Sequence, residues 1–304
     1  MIRGTDDTRY AYVNGIIRAR EARLLTKGHF DRLIASTFSN FATILSDSPY
    51  IGHEDITAGF DLEEDRVGDL FRKYCQHSEI QQYIDWPQQI HNMKVKLKEG
   101  SDSLLYAQPG AEIEDWPETI GEIERFAVSK DPFILSTNLD KILCKYLYKT
   151  AQTMPFFKGY FRISFDLENI RSFFRARHFE NTHEIFNQVF IEYGTIGRER
   201  FVDNLTSEYD VLGKNFFTTP YAALLDKGGA YIKQRNSFLR LERICEEIRL
   251  QFLLAARRMT FGVEPLFTYY QFKLAETKKL RQVYWGKLNE VPIDDLKESI
   301  AGVW

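Results

Sequence analysis

Apolar positions recur three or four residues apart along most of the chain, and few breaks interrupt that helical spacing. Between Leu241 and Met259 the apolar side chains fall at Leu241, Ile244, Ile248, Phe252, Ala255 and Met259, one continuous helical stripe. Arg243–Glu247 and Glu246–Arg249 stand at spacings that pair opposite charges, whereas Glu242–Glu246 repel. Gly262 is suited to the position just past that helix, and Pro265 to the first turn of the next. The next helix carries Phe267, Tyr270, Leu274, Leu280 and Tyr284 and is expected to run to about Leu288. Pro292, Asp294 and Asp295 then open a short terminal helix, with the acids favourably near its N-terminus.

The first half reads similarly. A helix is expected over 9–25, broken near Lys27-Gly28, then a second over Phe30–Thr37. A third is expected to be capped by Ser39 and stopped by Asp47-Ser48-Pro49. A polar helix follows from about Leu62 to Cys75, and another from Trp86 to Leu97 with Pro87 in its first turn. Phe133–Leu135 and Phe161–Phe165 are short and aromatic, yet neither leads into a hairpin signal. The predicted fold class is all-α.

Composition narrows the function. The 304 residues are 44% apolar and 27% charged, ordinary for a folded globular chain. Lys plus Arg number 40 against 43 Asp plus Glu, a net charge of −3. A protein that grips phosphate backbones normally carries a basic excess, so the balance argues against nucleic acid. Twenty-four Phe and 16 Tyr suit thick helix-to-helix packing. Cys75, Cys144 and Cys245 stand far apart without a CxxC pair, which points to reduced, buried thiols in the cytosol. The opening MIRGTDDTRYAYVNG lacks a signal-peptide core, and no run approaches ~18 uninterrupted apolar residues. Any membrane association is therefore expected to go through a partner.

No reaction centre is evident. His29, His53, His77, His91, His178 and His183 are scattered, and the spacing of five between the last two does not stack on a helix face. GTIGRER at 194–200 has two glycines but no GK[ST] and no flanking strand, so it is not a phosphate loop. No serine or threonine sits in a nucleophile motif such as GxSxG. The run Asp61-Leu62-Glu63-Glu64-Asp65 reads as a solvated helix start. No catalytic residue, cofactor site or metal site is predicted, which leaves a binding or structural protein.

The chain also contains a repeat. QQIHNMKVKLKEG (88–100) aligns with FDLENIRSFFRAR (165–177) at an offset of 77. Ile90, Met93 and Leu97 meet Leu167, Ile170 and Phe174, while Asn92 meets Asn169 and the basic pair Lys94/Lys98 meets Arg171/Arg175. KKLRQVYWGKL (278–288) aligns 110 residues further on, where Arg281 meets Arg171 and Lys287 meets Arg177. Lys279 stands there in place of the asparagine, and Trp285 in place of the second basic residue. Like charges at i, i+4 repel by a few tenths of a kcal/mol, so each pair needs an internal carboxylate or an acidic surface elsewhere. Three copies with apolar and basic faces in phase predict a triplicated helical unit with boundaries near 1–107, 108–195 and 196–304.

The run FGVEPLFTYYQFKLAETKKLRQVYWGKLNEVP (261–292) closely resembles the C-subunit family of V/A-type rotary ATPases, whose eukaryotic counterpart is called the d subunit. Gly262, Glu264, Pro265, Lys273, Glu276, Leu280, Arg281, Gly286 and Lys287 are among the matching positions. YAYVNGIIRAREARLL (10–25) is similar to the family's N-terminal helix through Asn14 and Arg18. FDLENIRSFFRAR is similar to its second-repeat motif through Asp166, Asn169, Arg171, Arg175 and Arg177, and LDKILCKYLY (139–148) adds to the likeness. The resemblance implies three similar helical lobes in a pseudo-threefold funnel, cytoplasmic and peripheral to the membrane, with the N- and C-terminal helices able to pack together. It implies a non-catalytic rotor component that couples a central shaft, made by the D and F subunits, to the membrane proteolipid ring. Lys94, Lys98, Arg171, Arg175, Arg177, Arg281 and Lys287 are the candidate contacts with those partners. The alternative is an all-helical nucleic-acid-binding or scaffold protein using RSFFRAR and LAARRM as basic–aromatic patches.

Overall fold

The computed structural model describes residues 4–51, 55–106 and 112–302. Every regular element among them is helical, as the spacing predicts. The chain begins with α1 (Ala11–Glu21), α2 (Lys27–Ala35), the single turn α3 (Phe41–Ile44) and α4 (Ile56–Tyr74). It continues through α5 (Ser78–Leu97), α6 (Pro117–Ser129), α7 (Pro132–Thr150), α8 (Pro155–Ala176), α9 (Thr182–Val189) and α10 (Arg198–Val202). The last stretch is α11 (Tyr209–Asn215), α12 (Ala222–Arg235), α13 (Leu239–Leu253), α14 (Glu264–Leu288) and α15 (Ile293–Ser299).

Two compact units result. Residues 76–206 form one, and the two ends of the chain, 1–75 and 207–304, together form the other. The expected boundary at 107/108 lies outside the described residues, as does His53.

In the unit built from both chain ends, α14 is the axis. It runs 25 residues and ends at Leu288 as expected, with Pro265 in its first turn. The sequence shows one apolar face, but the structure buries the helix on nearly all sides, from Glu264 through Phe272 and Glu276 to Gly286. Leu280 and Val283 join Phe30, Leu33, Ile34, Phe41, Phe60 and Leu296 in one core. A helix buried all round must also bury whatever charge it carries, and that decides the chemistry described below.

The junction ahead of α14 needs glycine. Gly262 has φ +93°, donates its N–H to the Asp7 carbonyl at 3.0 Å, and passes so close to the N-terminal segment that a Cβ would lie 2.7 Å from Thr5 Oγ1. The predicted helix to Met259 instead ends at Leu253 and tightens into a 3₁₀ turn over Leu254–Arg258. Arg18 accounts for that ending, because its guanidinium donates to the carbonyls of Ala256 (3.0 Å) and Met259 (2.9 Å) beyond the last α-helical turn.

Further boundaries depart from expectation: α1 ends at Glu21, and Lys27-Gly28, where a break is expected, opens α2, whose capping box joins Thr26 and His29. α5 starts at Ser78, so Pro87 lies in its interior and not in its first turn. An interior proline costs about 3 kcal/mol. Six apolar side chains buried on either side of it, Ile80, Tyr83, Ile84, Trp86, Ile90 and Met93, each return roughly 1.5–3 kcal/mol and outweigh that cost. Ser39 caps nothing and lies inside a 3₁₀ turn, Phe38–Asn40, that precedes α3. α4 begins six residues early because the Asp55 carboxylate accepts the Thr57 N–H at 3.0 Å.

The unit of residues 76–206 is aromatic throughout. Trp116 stacks on Tyr146 with centroids 3.7 Å apart, and Phe173, Phe186 and Phe201 pack mutually within 5.5–6.1 Å. Phe133–Leu135 and Phe161–Phe165, the two strand-like stretches, lie inside α7 and α8. Asp131 caps α7 by accepting the N–H groups of Phe133 and Ile134 at 2.9 and 3.1 Å.

Candidate partner interface

The polar side chains of the resemblance mostly face inward. On α14, Lys273 and Glu276 are 4% and 0% exposed. Lys273 Nζ donates to Tyr50 Oη at 2.6 Å and to Glu276 Oε1 at 2.7 Å, while Tyr50 donates to the same Glu276 oxygen at 2.5 Å. The Leu25 backbone N–H donates to the other carboxylate oxygen, also at 2.5 Å. Glu63 Oε1 lies 3.5 Å from Lys273 Nζ. Burial, reinforced by Glu276, pushes the Tyr50 phenol well above its ordinary pKa, so it stays a donor. A buried cation and anion thus share a ring-like network in which every strong donor has an acceptor.

One turn on, Thr277 and Arg281 both bond to Glu64, and Arg281 reaches Asp61 at 2.5 Å. The acidic run 61–65 is therefore not a solvated helix start. It lies inside α4, where Asp61, Glu63 and Glu64 meet the cations of α14. The correction has a simple origin: burying α14 brings its charges against whatever helix covers them, and no local pattern names that helix.

Asn14 and Arg18 have similar duties. Asn14 Nδ2 donates to the carbonyls of Thr260 and Gly262 at 3.1 and 3.0 Å, and Arg18 also holds Glu21 at 2.7 Å. Glu264 accepts the Thr5 N–H at 2.6 Å. In the other unit, fully buried Asp166 accepts the N–H groups of Thr195 (2.7 Å) and Ile196 (3.1 Å), closing the GTIG loop on a carboxylate. A Cβ on Gly194 would fall 2.3 Å from that carboxylate, so only glycine fits the approach.

The repeat finds a physical counterpart at its asparagines. Asn169 donates to the Ile191 carbonyl and accepts the Ile191 N–H, both at 2.8 Å. Asn92, its aligned partner, does the same to Tyr106 at 2.9 and 2.8 Å. Each side-chain amide imitates one rung of a strand ladder and pins the segment that follows its helix. At the third position Lys279 replaces asparagine and lies over the Phe30 ring at 5.6 Å.

The seven candidate contact residues divide between the two units. In residues 76–206, Lys94 pairs with Asp140 at 2.5 Å and Lys98 bonds the Ser136 hydroxyl, both on α7. Arg171 pairs with Glu168 at 3.2 Å, and Arg177 donates to the Asn204 carbonyl at 3.2 Å and covers the Phe173 ring. Arg175 is exposed. In the other unit, Arg281 is held by α4 as described and Lys287 bonds the Ser36 carbonyl. An internal carboxylate thus meets Lys94, Arg171 and Arg281, one of the two compensations the charge pattern demands.

A further feature is invisible in the sequence. In the unit built from both chain ends, an open cleft of about 1230 Å³ lies among α1, α2, α4 and α14. Arg20, Arg23, Arg32, Arg66, Lys73 and Lys273 line it, against Asp47, Glu63 and Asp69. In a chain of net charge −3 this wall is locally basic. Arg20 lies in the last turn of α1 and Arg23 just beyond that helix, and the rest come from separate segments, so no single stretch of the chain announces the cleft.

Among the described residues, no three His, Cys, Asp or Glu side chains gather as a metal site, and no helix is long and apolar enough to cross a membrane. The polar residues that carry the family resemblance hold segments together at Asn14, Arg18, Asp166, Asn169, Glu264, Lys273, Glu276 and Arg281. A family model described as the ATP synthase (C/AC39) subunit matches residues 101–299. The C subunit of the V-type sodium ATPase of Enterococcus hirae is 23% identical over 329 aligned positions, covering 97% of this chain and 99% of that protein. With the framework, the family match and the end-to-end likeness in agreement, the chain belongs to the ATP synthase (C/AC39) subunit family, the C subunits of V/A-type ATPases.

Proposed function

We propose that this chain is a non-catalytic rotor component that couples the central shaft, made by the D and F subunits, to the membrane proteolipid ring, for ATP-driven ion transport or ATP synthesis. It works on the cytoplasmic side, peripheral to the membrane and held there by its partners. The observation that carries this reading is the likeness to the C subunit of a V-type sodium ATPase along nearly the whole of both chains.

Torque transfer needs an adapter that does not deform. Buried ion pairs between α14 and α4, with aromatic packing in both units, suit that demand because close-packed interiors compress little. The basic cleft suits an acidic helical tip of the shaft, since charge complementarity steers association and fixes register. Of the seven candidate contacts, Lys98 and Arg175 have exposed side chains and are the ones best able to reach a partner. The three-lobed arrangement belongs to this proposal, and the matched clamps of Asn92 and Asn169 support it.

The test is co-expression of the shaft proteins and ring with and without this chain, followed by purification through a tag on the shaft. The ring should co-purify only when the chain is present. Recovery of an intact shaft–ring complex without it would overturn the coupling role.

A further inference from the structure

Four large apolar side chains that stand exposed, Trp285, Leu288, Val291 and Ile293, fall within nine residues at the end of α14 and the start of α15. Trp285 and Leu288 are three positions apart and share one side of the helix. Trp285 stands edge-on to Tyr284 at 5.4 Å, and Tyr284 meets Phe38, itself exposed, at 5.2 Å. Tyr284 thus joins Trp285 to the 3₁₀ turn before α3.

The turn that presents these side chains is held in place. Glu290 takes φ +55° and donates its N–H to the Lys287 carbonyl at 3.2 Å, while Val291 donates to the Gly286 carbonyl at 2.8 Å, the paired bonds of a Schellman ending. Such an ending ordinarily packs the residue at position 291 on the side chain at position 286. Here that residue is Gly286, and its open side is occupied by Leu296, with which an added Cβ would collide. Val291 has no side chain there to cover it and stays exposed. The left-handed position favours glycine, yet it carries Glu290, which sets a carboxylate beside the apolar surface.

The charges at the edge are mostly acidic. Glu290 and Asp294 are exposed and Asp295 is half-buried, and none of the three pairs with a cation among the described residues. Lys287 directs its ammonium to the Ser36 carbonyl, and Lys297 lies further along α15.

We infer that this surface docks an amphipathic helix of another protein, apolar on the side that lies against Trp285, Leu288, Val291 and Ile293 and basic on the flank that meets Glu290, Asp294 and Asp295. Apolar side chains clustered in water on a fixed turn are what the apolar side of such a helix buries. The acids set its register and reject an acidic helix. The basic cleft calls for a partner of the opposite charge, so the two surfaces are distinct, and this one does not depend on the coupling role.

Fluorescence anisotropy of two labelled synthetic helices titrated with the full chain tests this. One carries leucines on one side and lysines on its flanks, and the other has glutamates in place of the lysines. The lysine helix should bind saturably and the glutamate helix should not. Trp285→Ser and Leu288→Ser change exposed side chains, and each should weaken the lysine helix by about tenfold or more at an unchanged melting temperature. Glu290→Lys together with Asp294→Lys should weaken it similarly and admit the glutamate helix. No saturable binding of the lysine helix, equal binding of both helices, or unchanged affinity in either the Leu288→Ser or the charge-reversed variant would overturn the inference. So would a dimer of the full chain that Trp285→Ser dissolves, or binding to neutral phosphatidylcholine vesicles that it abolishes, since a second copy or a bilayer would then be the occupant.

Discussion

Tyr50 and Glu276 stand 226 positions apart in the chain and share a hydrogen bond of 2.5 Å in the interior, with Lys273 bonded to both. Two buried ionic groups are held there by a phenol that receives from the cation and donates to the anion. The arrangement ties the loop before α4 to the central helix α14.

Removing one partner of a buried pair leaves the other uncompensated, at about 3–5 kcal/mol. Glu276→Gln should therefore lower stability by roughly that amount, since among the described residues Lys273 then keeps Glu63, at 3.5 Å, as its nearby anion. Lys273→Met should be milder, because Glu276 retains the Tyr50 hydroxyl and the Leu25 N–H. Urea unfolding of both variants and of the double variant checks the order, and equal small losses below about 1 kcal/mol would contradict the network.

Asn169 is fully buried and Asn92 is not, although each makes the same pair of backbone bonds. Asn169→Ala leaves the Ile191 N–H and carbonyl unsatisfied in the interior and should destabilise by about 1–3 kcal/mol, with faster exchange of the Ile191 amide. At Asn92→Ala water replaces the lost partner, so a smaller loss is expected. A reversed ranking would refute burial as the deciding factor.

Stability should decline in acid. Hydrogen bonds from Lys145 and Tyr146 hold the Glu118 carboxyl low, at about 2, against an ordinary 4.5, and Arg240 and Arg243 lower Glu298. A depressed carboxyl contributes stability above its unfolded value, and that contribution is lost as pH falls from about 4.5 towards about 2. Glu118→Gln should flatten the melting-temperature profile in that window, and a profile identical to the parent would show that the group contributes nothing.

Charge reversals separate framework from contact. Arg281→Glu should unfold its surroundings by facing Asp61 and Glu64 with a like charge. Arg175→Glu, and separately Arg20→Glu with Arg23→Glu in the cleft, change exposed side chains and should shift stability by no more than about 0.5 kcal/mol. Each should weaken shaft or ring binding, and salt should shrink the difference because exposed charges are screened beyond roughly 8 Å at physiological ionic strength. Unchanged assembly by Arg171→Glu together with Arg175→Glu would remove these positions from the interface and leave the family assignment intact.

Much of the fold is local and legible in the chain. The spacing of apolar residues, Gly262, Pro265 and the acids at 294–295 place α14 and α15 close to their observed ends. Helical propensity, capping and proline geometry act over a few residues, so a single stretch of chain carries them. Boundaries depart from that pattern where distant contacts intervene: Arg18 ends α13 at carbonyls some 240 positions away, and flanking burial holds Pro87 inside α5.

By itself the sequence determined an all-helical chain, the repeated asparagine-and-basic pattern and the likeness to the rotary-ATPase family. Only the tertiary structure decided which charges face inward. Lys273 and Lys278 are both lysines of one helix, yet the first is buried beside Glu276 and the second is exposed. What separates them is the packing of α4 and the loop carrying Tyr50 over one side of α14. Electrostatic pairing depends on distance in space and on local dielectric, and neither is written in the order of residues along the chain.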